Sequence, residues 1–200
     1  ALFSNGWKEL YGDLIDWRAA QFGGKVVSVD PVKKIVVTED EEVQADVLNY
    51  IPNQKASQLA FDSGLVADGK DWCDIHPKTF ESKLVKNVHV IGDASNAAPM
   101  PKSAFSASTQ GKVVALQIAR MLKQQEPLNP PKLANTCYSL LSPNYGISIA
   151  AVYNALDDKI QNVDGAGGVS PATDPDGHIR ILEAKYAYAW YESQTADIFK

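Results

Sequence analysis

Apolar residues at helical spacing, Trp7, Leu10, Leu14, Ile15 and Trp17, predict a short amphipathic helix over residues 7–20, stopped by Gly23 and Gly24. Two β-branched runs follow at 25–29 and 34–38, and the turn residues Asp30-Pro31-Val32-Lys33 between them predict a hairpin. Residues 45–51 read as a third strand, ended by Pro52. Three strands and one helix leave sheet edges unpaired, so this stretch reads as the tail of a larger sheet domain rather than a freestanding fold.

After a helical stretch near 58–64, a loop rich in Gly, Asp and Pro runs to about Pro77. Residues 88–91 are a continuous apolar run, the pattern of a buried parallel strand. The strongest helical pattern covers 103–124. There Val113, Val114, Leu116, Ile118, Met121 and Leu122 predict a wide buried face, and Pro127 lies just past the end. Pro127, Pro130 and Pro131 make a stiff linker. Beyond it, strands at 136–141 and 147–153 flank Ser142-Pro143-Asn144-Tyr145-Gly146, and 160–163 fits a third. A Gly-rich loop over 164–170 precedes a terminal helix from about 179 to 199 that carries Tyr186, Tyr188, Trp190 and Tyr191.

Composition narrows the function classes. Across 200 residues the hydrophobic share is 45% and the charged share 22%, ordinary values for a water-soluble globular chain. A net charge of -5 and the lack of a Lys/Arg cluster argue against a nucleic-acid surface. No apolar run reaches the roughly 20 residues that a membrane helix needs, so no membrane span is expected. The first residues, Ala1-Leu2-Phe3-Ser4-Asn5-Gly6-Trp7, show no signal-peptide pattern. Two cysteines, Cys73 and Cys137, are too few for a disulfide scaffold or a self-contained zinc site. His76, His89 and His178 lack metal-ligand spacing, and no metal is assigned.

The chemistry concentrates at Gly92-Asp93. Glycine at a strand end lets the backbone approach a ligand closely, and the aspartate leaves a carboxylate where α/β sheets bind ligands. Such a carboxylate can accept a hydrogen bond from a ribityl or ribose hydroxyl. The helix that opens at Ser103 and Ala104 presents free amides and the positive end of its dipole, which suit an anion.

Several segments extend the motif. They are Val88-His89-Val90-Ile91-Gly92-Asp93-Ala94-Ser95, Pro99-Met100-Pro101-Lys102-Ser103-Ala104-Phe105-Ser106-Ala107 and Gln110-Gly111-Lys112-Val113. With them run Gly6-Trp7-Lys8-Glu9-Leu10-Tyr11-Gly12-Asp13, Ile51-Pro52-Asn53-Gln54-Lys55-Ala56, Trp72-Cys73, Asn135-Thr136-Cys137-Tyr138-Ser139 and Ala184-Lys185-Tyr186-Ala187-Tyr188-Ala189-Trp190-Tyr191. In that order they resemble the flavin-binding subunit of flavocytochrome c sulfide dehydrogenase, a disulfide-reductase-like FAD flavoprotein. The resemblance runs across almost the whole chain.

The resemblance implies an α/β fold with an α+β C-terminal domain, part of a flavoprotein with two dinucleotide-binding domains. The expected division is 1–57 in the central domain, 58–128 in the FAD domain and 129–200 in the domain that covers the flavin. The family's Gly-rich fingerprint for the ADP part of FAD is absent, and Gly165-Ala166-Gly167-Gly168 lies too late to serve, so the chain reads as the C-terminal part. The implied cofactor is FAD, with Gly92, Asp93, Lys102, Ser103, Ala104 and Trp190 as binding residues. Lys102 would neutralise the reduced flavin, whose negative charge lies near N1 and the C2 carbonyl, although an exposed lysine accounts for it equally well. Core packing accounts for Trp190 equally well.

By the same resemblance Cys73 forms a redox-active disulfide beside the flavin, sulfide attacks it, and electrons pass to a c-type cytochrome partner in the periplasm. The family often has proline after this cysteine, whereas here Asp74-Ile75-His76 follows. A carboxylate beside the thiol raises its pKa unless a protonated His76 offsets it. Cys137 reads as a buried inert thiol. A Cys73–Cys137 disulfide is allowed by counting alone. Two alternatives stand beside this reading. One is a sulfide:quinone oxidoreductase-like enzyme, disfavoured by the charged residues of the last helix; the other is a noncatalytic module that docks a cytochrome.

Overall fold

The computed structural model describes residues 2–199. Two compact units make up the chain, Ser4–Gln54 and a larger one running from Lys55. Both are mixtures of helix and small antiparallel sheet.

In the small unit, α1 (Leu2–Tyr11) is followed by 3-10 turns at Gly12–Leu14 and Ala20–Phe22. The helix expected over 7–20 therefore stops at Tyr11, because Gly12 takes a left-handed φ of 57° and ends the ladder. Trp7 and Trp17 still meet, as a tilted ring pair with centroids 5.5 Å apart. Strands β1 (Val26–Asp30), β2 (Ile35–Thr38) and β3 (Glu42–Gln44) pair antiparallel in sequence order. The expected hairpin forms, its turn closed by Asp30 Oδ1, which accepts from the amides of Val32 and Lys33 at 3.0 and 2.9 Å. The third strand sits earlier than 45–51. Thr38 donates its amide to Glu41 O at 2.8 Å, and this tight turn brings 42–44, not the apolar run, opposite β2.

The larger unit holds α2 (Gln58–Asp62), α3 (Ala104–Leu122), β4 (Lys132–Ser142), β5 (Tyr145–Ala155), β6 (Ile160–Val169) and α4 (His178–Phe199). The three strands form an antiparallel sheet in the order β4-β5-β6, with α3 packed on β4 and α4 on β5. Phe80, Met100, Val114, Leu133, Tyr153 and Ile160 belong to the main core. The stretch 164–170, expected as a loop, is mostly strand. Gly167 takes a φ of 157°, and a Cβ there would lie 2.4 Å from Ala150 O, so the glycine lets β6 close onto β5 around a bulge.

The run 88–91 is not a buried parallel strand. It folds back on the segment just before it: Ser82 N donates to Val88 O at 2.7 Å, Val90 N donates to Phe80 O at 2.8 Å, and His89 bridges Glu81 antiparallel. Val88 and Val90 end half-buried and Ile91 exposed. Only half of the apolar set expected on α3 lies on its inner face: Val114 is buried and Val113 and Ile118 pack against the core, but Leu116, Met121 and Leu122 are exposed, and Ser106, Gln110 and Gln117 are buried in their stead. The last helix behaves the same way. Arg180, Glu183, Ala184 and Ala187 face inward, and Tyr186, Tyr188 and Tyr191 lie outside.

Small residues let α4 approach the sheet. A Cβ on Gly146 of β5 would fall 2.4 Å from Ala184 N, backbone that cannot yield cheaply. Glu183 adds a polar lock: Ser148 Oγ donates to its Oε1 at 2.8 Å, and Ser170 Oγ lies 2.7 Å from the same oxygen. Gly146→Ala is therefore expected to destabilise the unit by about 1–3 kcal/mol in denaturant unfolding. An unchanged midpoint would mean that α4 can slide on β5 without loss.

Candidate functional site

Cys73 has no exposed surface, though only a shallow layer covers it. Ala56, Ala60, Leu65, Val66 and Trp72 are among its apolar neighbours. Two backbone hydrogen bonds fasten it: its amide donates to Ala94 O at 2.9 Å, and its carbonyl accepts from Asn96 N at 2.8 Å. A parallel bridge thus joins Cys73 to Ser95, directly after the 3-10 turn Gly92–Ala94. The sequence motif around Gly92-Asp93 and the cysteine twenty residues earlier are parts of one strap.

The turn depends on Gly92. Its φ of 66° is a conformation that side chains disfavour, and a Cβ would also come 3.3 Å from the Cβ of Ala107 on α3. The Gly92 amide donates to Gln110 Oε1 at 2.7 Å, and Ser95 Oγ donates back to Gly92 O at 2.8 Å. Asp93 stands exposed at the crest of this turn.

Helix α3 begins beside it. Ser103 is the N-cap: its Oγ accepts from Ser106 N at 3.1 Å and donates to Asn135 Oδ1 at 2.6 Å. Ser106 Oγ donates to the same Asn135 oxygen at 3.1 Å. The amides of Ala104 and Phe105 precede the first backbone donor of the helix, that of Ala107 to Ser103 O, and have no intrahelical acceptor of their own. Phe105 stacks on Trp190 with ring centroids 5.4 Å apart, and Tyr138 of β4 lies 6.3 Å from the same indole. Burial first, then Tyr186 and Glu183, pushes the Tyr138 phenol up, so it remains a neutral ring under Trp190.

Lys102 is exposed, but its head group folds back onto the turn. Its Nζ donates to Asp93 O at 2.6 Å and to Ser95 O at 2.9 Å, and lies 3.7 Å from the centre of the Trp72 ring. Burial lowers its pKa, against the attraction of Asp93 and Cys73. Burial also pushes the Cys73 thiol up and Asp74 adds to this, whereas Lys102 pulls it down. The cation that favours a thiolate here is Lys102, where the sequence had pointed to His76. Cys73 is accordingly a protonated thiol near neutral pH rather than a standing thiolate.

The structure therefore brings Cys73, Gly92, Asp93, Lys102, Ser103, Ala104 and Trp190 around one end of α3. It does not join the two cysteines, which are both free. Cys137 is half-buried on β4, with its Sγ accepting from Asn135 Nδ2 at 3.2 Å. Sequence reasoning passed over Trp72, Gln110 and Asn135. Their signal was faint: each is a polar or aromatic residue whose importance lies in a loop or helix end met in space. As a donor set the site fits a flavin: the Asp93 carboxylate can accept from a hydroxyl, and the α3 amides can donate to an anionic oxygen.

Two protein-family models match the chain. The one described as flavocytochrome c sulphide dehydrogenase, flavin-binding, matches residues 129–199. The one described as sulfide dehydrogenase (flavocytochrome c) flavoprotein chain, central, matches residues 1–52. Together they span more than half of the chain. The strap and the start of α3 fall between the two matched stretches, and Asn135 on β4 is where the second stretch holds the helix. Asn135→Ala would leave the hydroxyls of Ser103 and Ser106 without their acceptor. We expect a loss of about 1–3 kcal/mol in denaturant unfolding, with amide exchange at residues 104–107 speeding up; unaltered exchange there would show that the cap stands without Asn135.

Proposed function

The chain belongs to the flavocytochrome c sulfide dehydrogenase flavoprotein family, and on that premise we propose that it oxidises sulfide through Cys73 and passes the electrons to a c-type cytochrome. Its cofactor is FAD. The observation that carries the reading is the strap. Cys73 is held by two main-chain hydrogen bonds, to Ala94 at the end of the Gly92–Ala94 turn and to Asn96 just past it, beside the exposed Asp93.

In this reading Asp93 accepts a hydrogen bond from a ribityl hydroxyl. The amides at Ala104 and Phe105 would suit the part of a flavin where negative charge collects on reduction, and the helix dipole would favour that charge by about 0.3–1 kcal/mol. Trp190, seated on Phe105, closes the ring's surroundings with an apolar wall. FAD, when bound, supplies a two-electron acceptor that can deliver electrons onward one at a time.

In this reading Cys73 is paired in the oxidised protein with a cysteine outside residues 1–200, not with Cys137. Hydrosulfide attacks the partner sulfur, the S–S bond breaks, and Cys73 leaves with the electron pair as a thiolate while the incoming sulfur stays as a persulfide on the partner. The leaving thiolate forms next to Lys102, which lowers its cost. A periplasmic setting belongs to the same proposal, since a functional disulfide is favoured in an oxidising compartment.

Sulfide added to the FAD-loaded protein should bleach the flavin absorbance, and Cys73→Ser should abolish the bleaching while FAD stays bound. Full bleaching in that variant would remove Cys73 from the reaction. Asp93→Ala is expected to weaken FAD binding by about tenfold, the loss of one hydrogen bond to a charged acceptor, measured by fluorescence quenching on titration.

A further inference from the structure

Lys102 immediately precedes the N-cap of α3, and its environment is specific. An ammonium needs three acceptors; Lys102 has two main-chain carbonyls, those of Asp93 and Ser95, and the face of Trp72. A ring centre at 3.7 Å is well inside the range of about 6 Å in which the indole quadrupole attracts a cation. These three contacts tie together three pieces of chain that share no sheet: Trp72 next to the cysteine, the Gly92–Ala94 turn with Ser95 after it, and the residue just before the N-cap of α3. A lysine there adds side-chain contacts to a strap that the two backbone hydrogen bonds of Cys73 already hold.

We propose that Lys102 is a positioning residue that clamps the Trp72-Cys73 segment to the Gly92–Ala94 turn and acts as the fixed counter-charge of Cys73. The charged groups that face the thiol are Asp74, which opposes its ionisation, and Lys102, which favours it; the α2 side of its shell is apolar. Asp93, on the same turn, stabilises the ammonium in its place. The arrangement lets the strap hold a neutral sulfur without strain in charge and receive a negative one when it forms. The catalytic use of that charge rests on the redox role given to Cys73, whereas the coupling itself can be read without flavin or sulfide.

The test is an NMR titration of the full chain labelled with 13Cβ-cysteine, the Cys73 signal being the one lost in Cys73→Ser. Lys102→Met should move the Cys73 midpoint upward by about one pH unit, the lower end of what a nearby charge does. Lys102→Arg should bring it most of the way back, since it restores the charge and can still lie on Trp72. An unmoved midpoint in Lys102→Met, or an arginine variant that titrates like the methionine one, would overturn the proposal. If Lys102→Met does not fold, Lys102→Gln must show the same upward shift. If neither folds, the reciprocal measurement decides: in Cys73→Ser the 13Cε midpoint of Lys102 should fall, and an unchanged midpoint counts against the coupling. Sulfide bleaching that survives in Cys73→Ser would sink the redox reading while leaving this result intact.

Discussion

The larger unit depends on a row of polar side chains buried along one side of α3. Ser106, Gln110 and Gln117 occupy the stripe that a globular helix normally fills with aliphatic residues. Each takes up main-chain or amide groups of another segment. Ser106 meets Asn135, Gln110 accepts from Gly92, and Gln117 both accepts from Leu128 N at 2.9 Å and donates to Lys78 O at 3.1 Å. The segments so held, 78, 92 and 128, are irregular backbone without a sheet to satisfy it. Buried peptide groups of that kind must find partners, at a cost of about 1–3 kcal/mol for each one left unpaired. The helix supplies those partners, and it is therefore the frame on which the loops are hung.

This arrangement explains why a site made of loops has definite geometry. Cys73, Asp93 and Lys102 lie on no named strand or helix, yet each is one or two hydrogen bonds from α3 or from a residue α3 holds. Gln110 fixes Gly92; Gly92 O receives Ser95 Oγ; Ser95 pairs with Cys73. The start of the same helix carries the amides proposed to face the flavin. One rigid element thus sets both the cofactor side and the cysteine side, so their spacing does not rest on loop stiffness.

How much of this was legible depended on where the signal was stored. Hairpins and helix limits were local: Asp30-Pro31 marked the turn, Ser103 the cap, and the β-branched runs the strands. The faces were not. Leu116, Met121 and Leu122 suggested a wider apolar inner side for α3 than exists, because hydrophobic periodicity assumes that a helix buries only against side chains, and this one, besides packing Val113, Val114 and Ile118 on the core, buries Ser106, Gln110 and Gln117 against polar groups of other segments. The aromatic residues of α4 misled for a related reason. Close approach of a helix to a sheet selects small residues, and Gly146, Ala184 and Ala187 win that contact. Residues 88–91 looked like a parallel strand since the apolar run carries no record of its partners, which lie only a few residues upstream at 80–82. The candidate site fared better. Glycine, aspartate, cysteine and the helix cap are chemically distinctive, so the sequence could name them without knowing that they converge. Lys102 could be named as well, but not the direction it faces, which is set by Trp72 thirty residues before it.

The electrostatics of Cys73 follow from the same geometry. A disulfide carries no charge, so burying it in an apolar shell costs nothing in desolvation; a thiolate in that place is penalised by burial and by Asp74. Such a site favours the oxidised or protonated states at rest and disfavours a thiolate without a partner. Charge becomes more tolerable beside a cation already fixed in place, and Lys102, though exposed, is fixed by two carbonyls and an indole. In water an ammonium and a thiolate would each reorganise solvent as the negative charge formed. Here the positive charge is in place beforehand, and the remaining adjustment falls on whichever group accepts the electron pair.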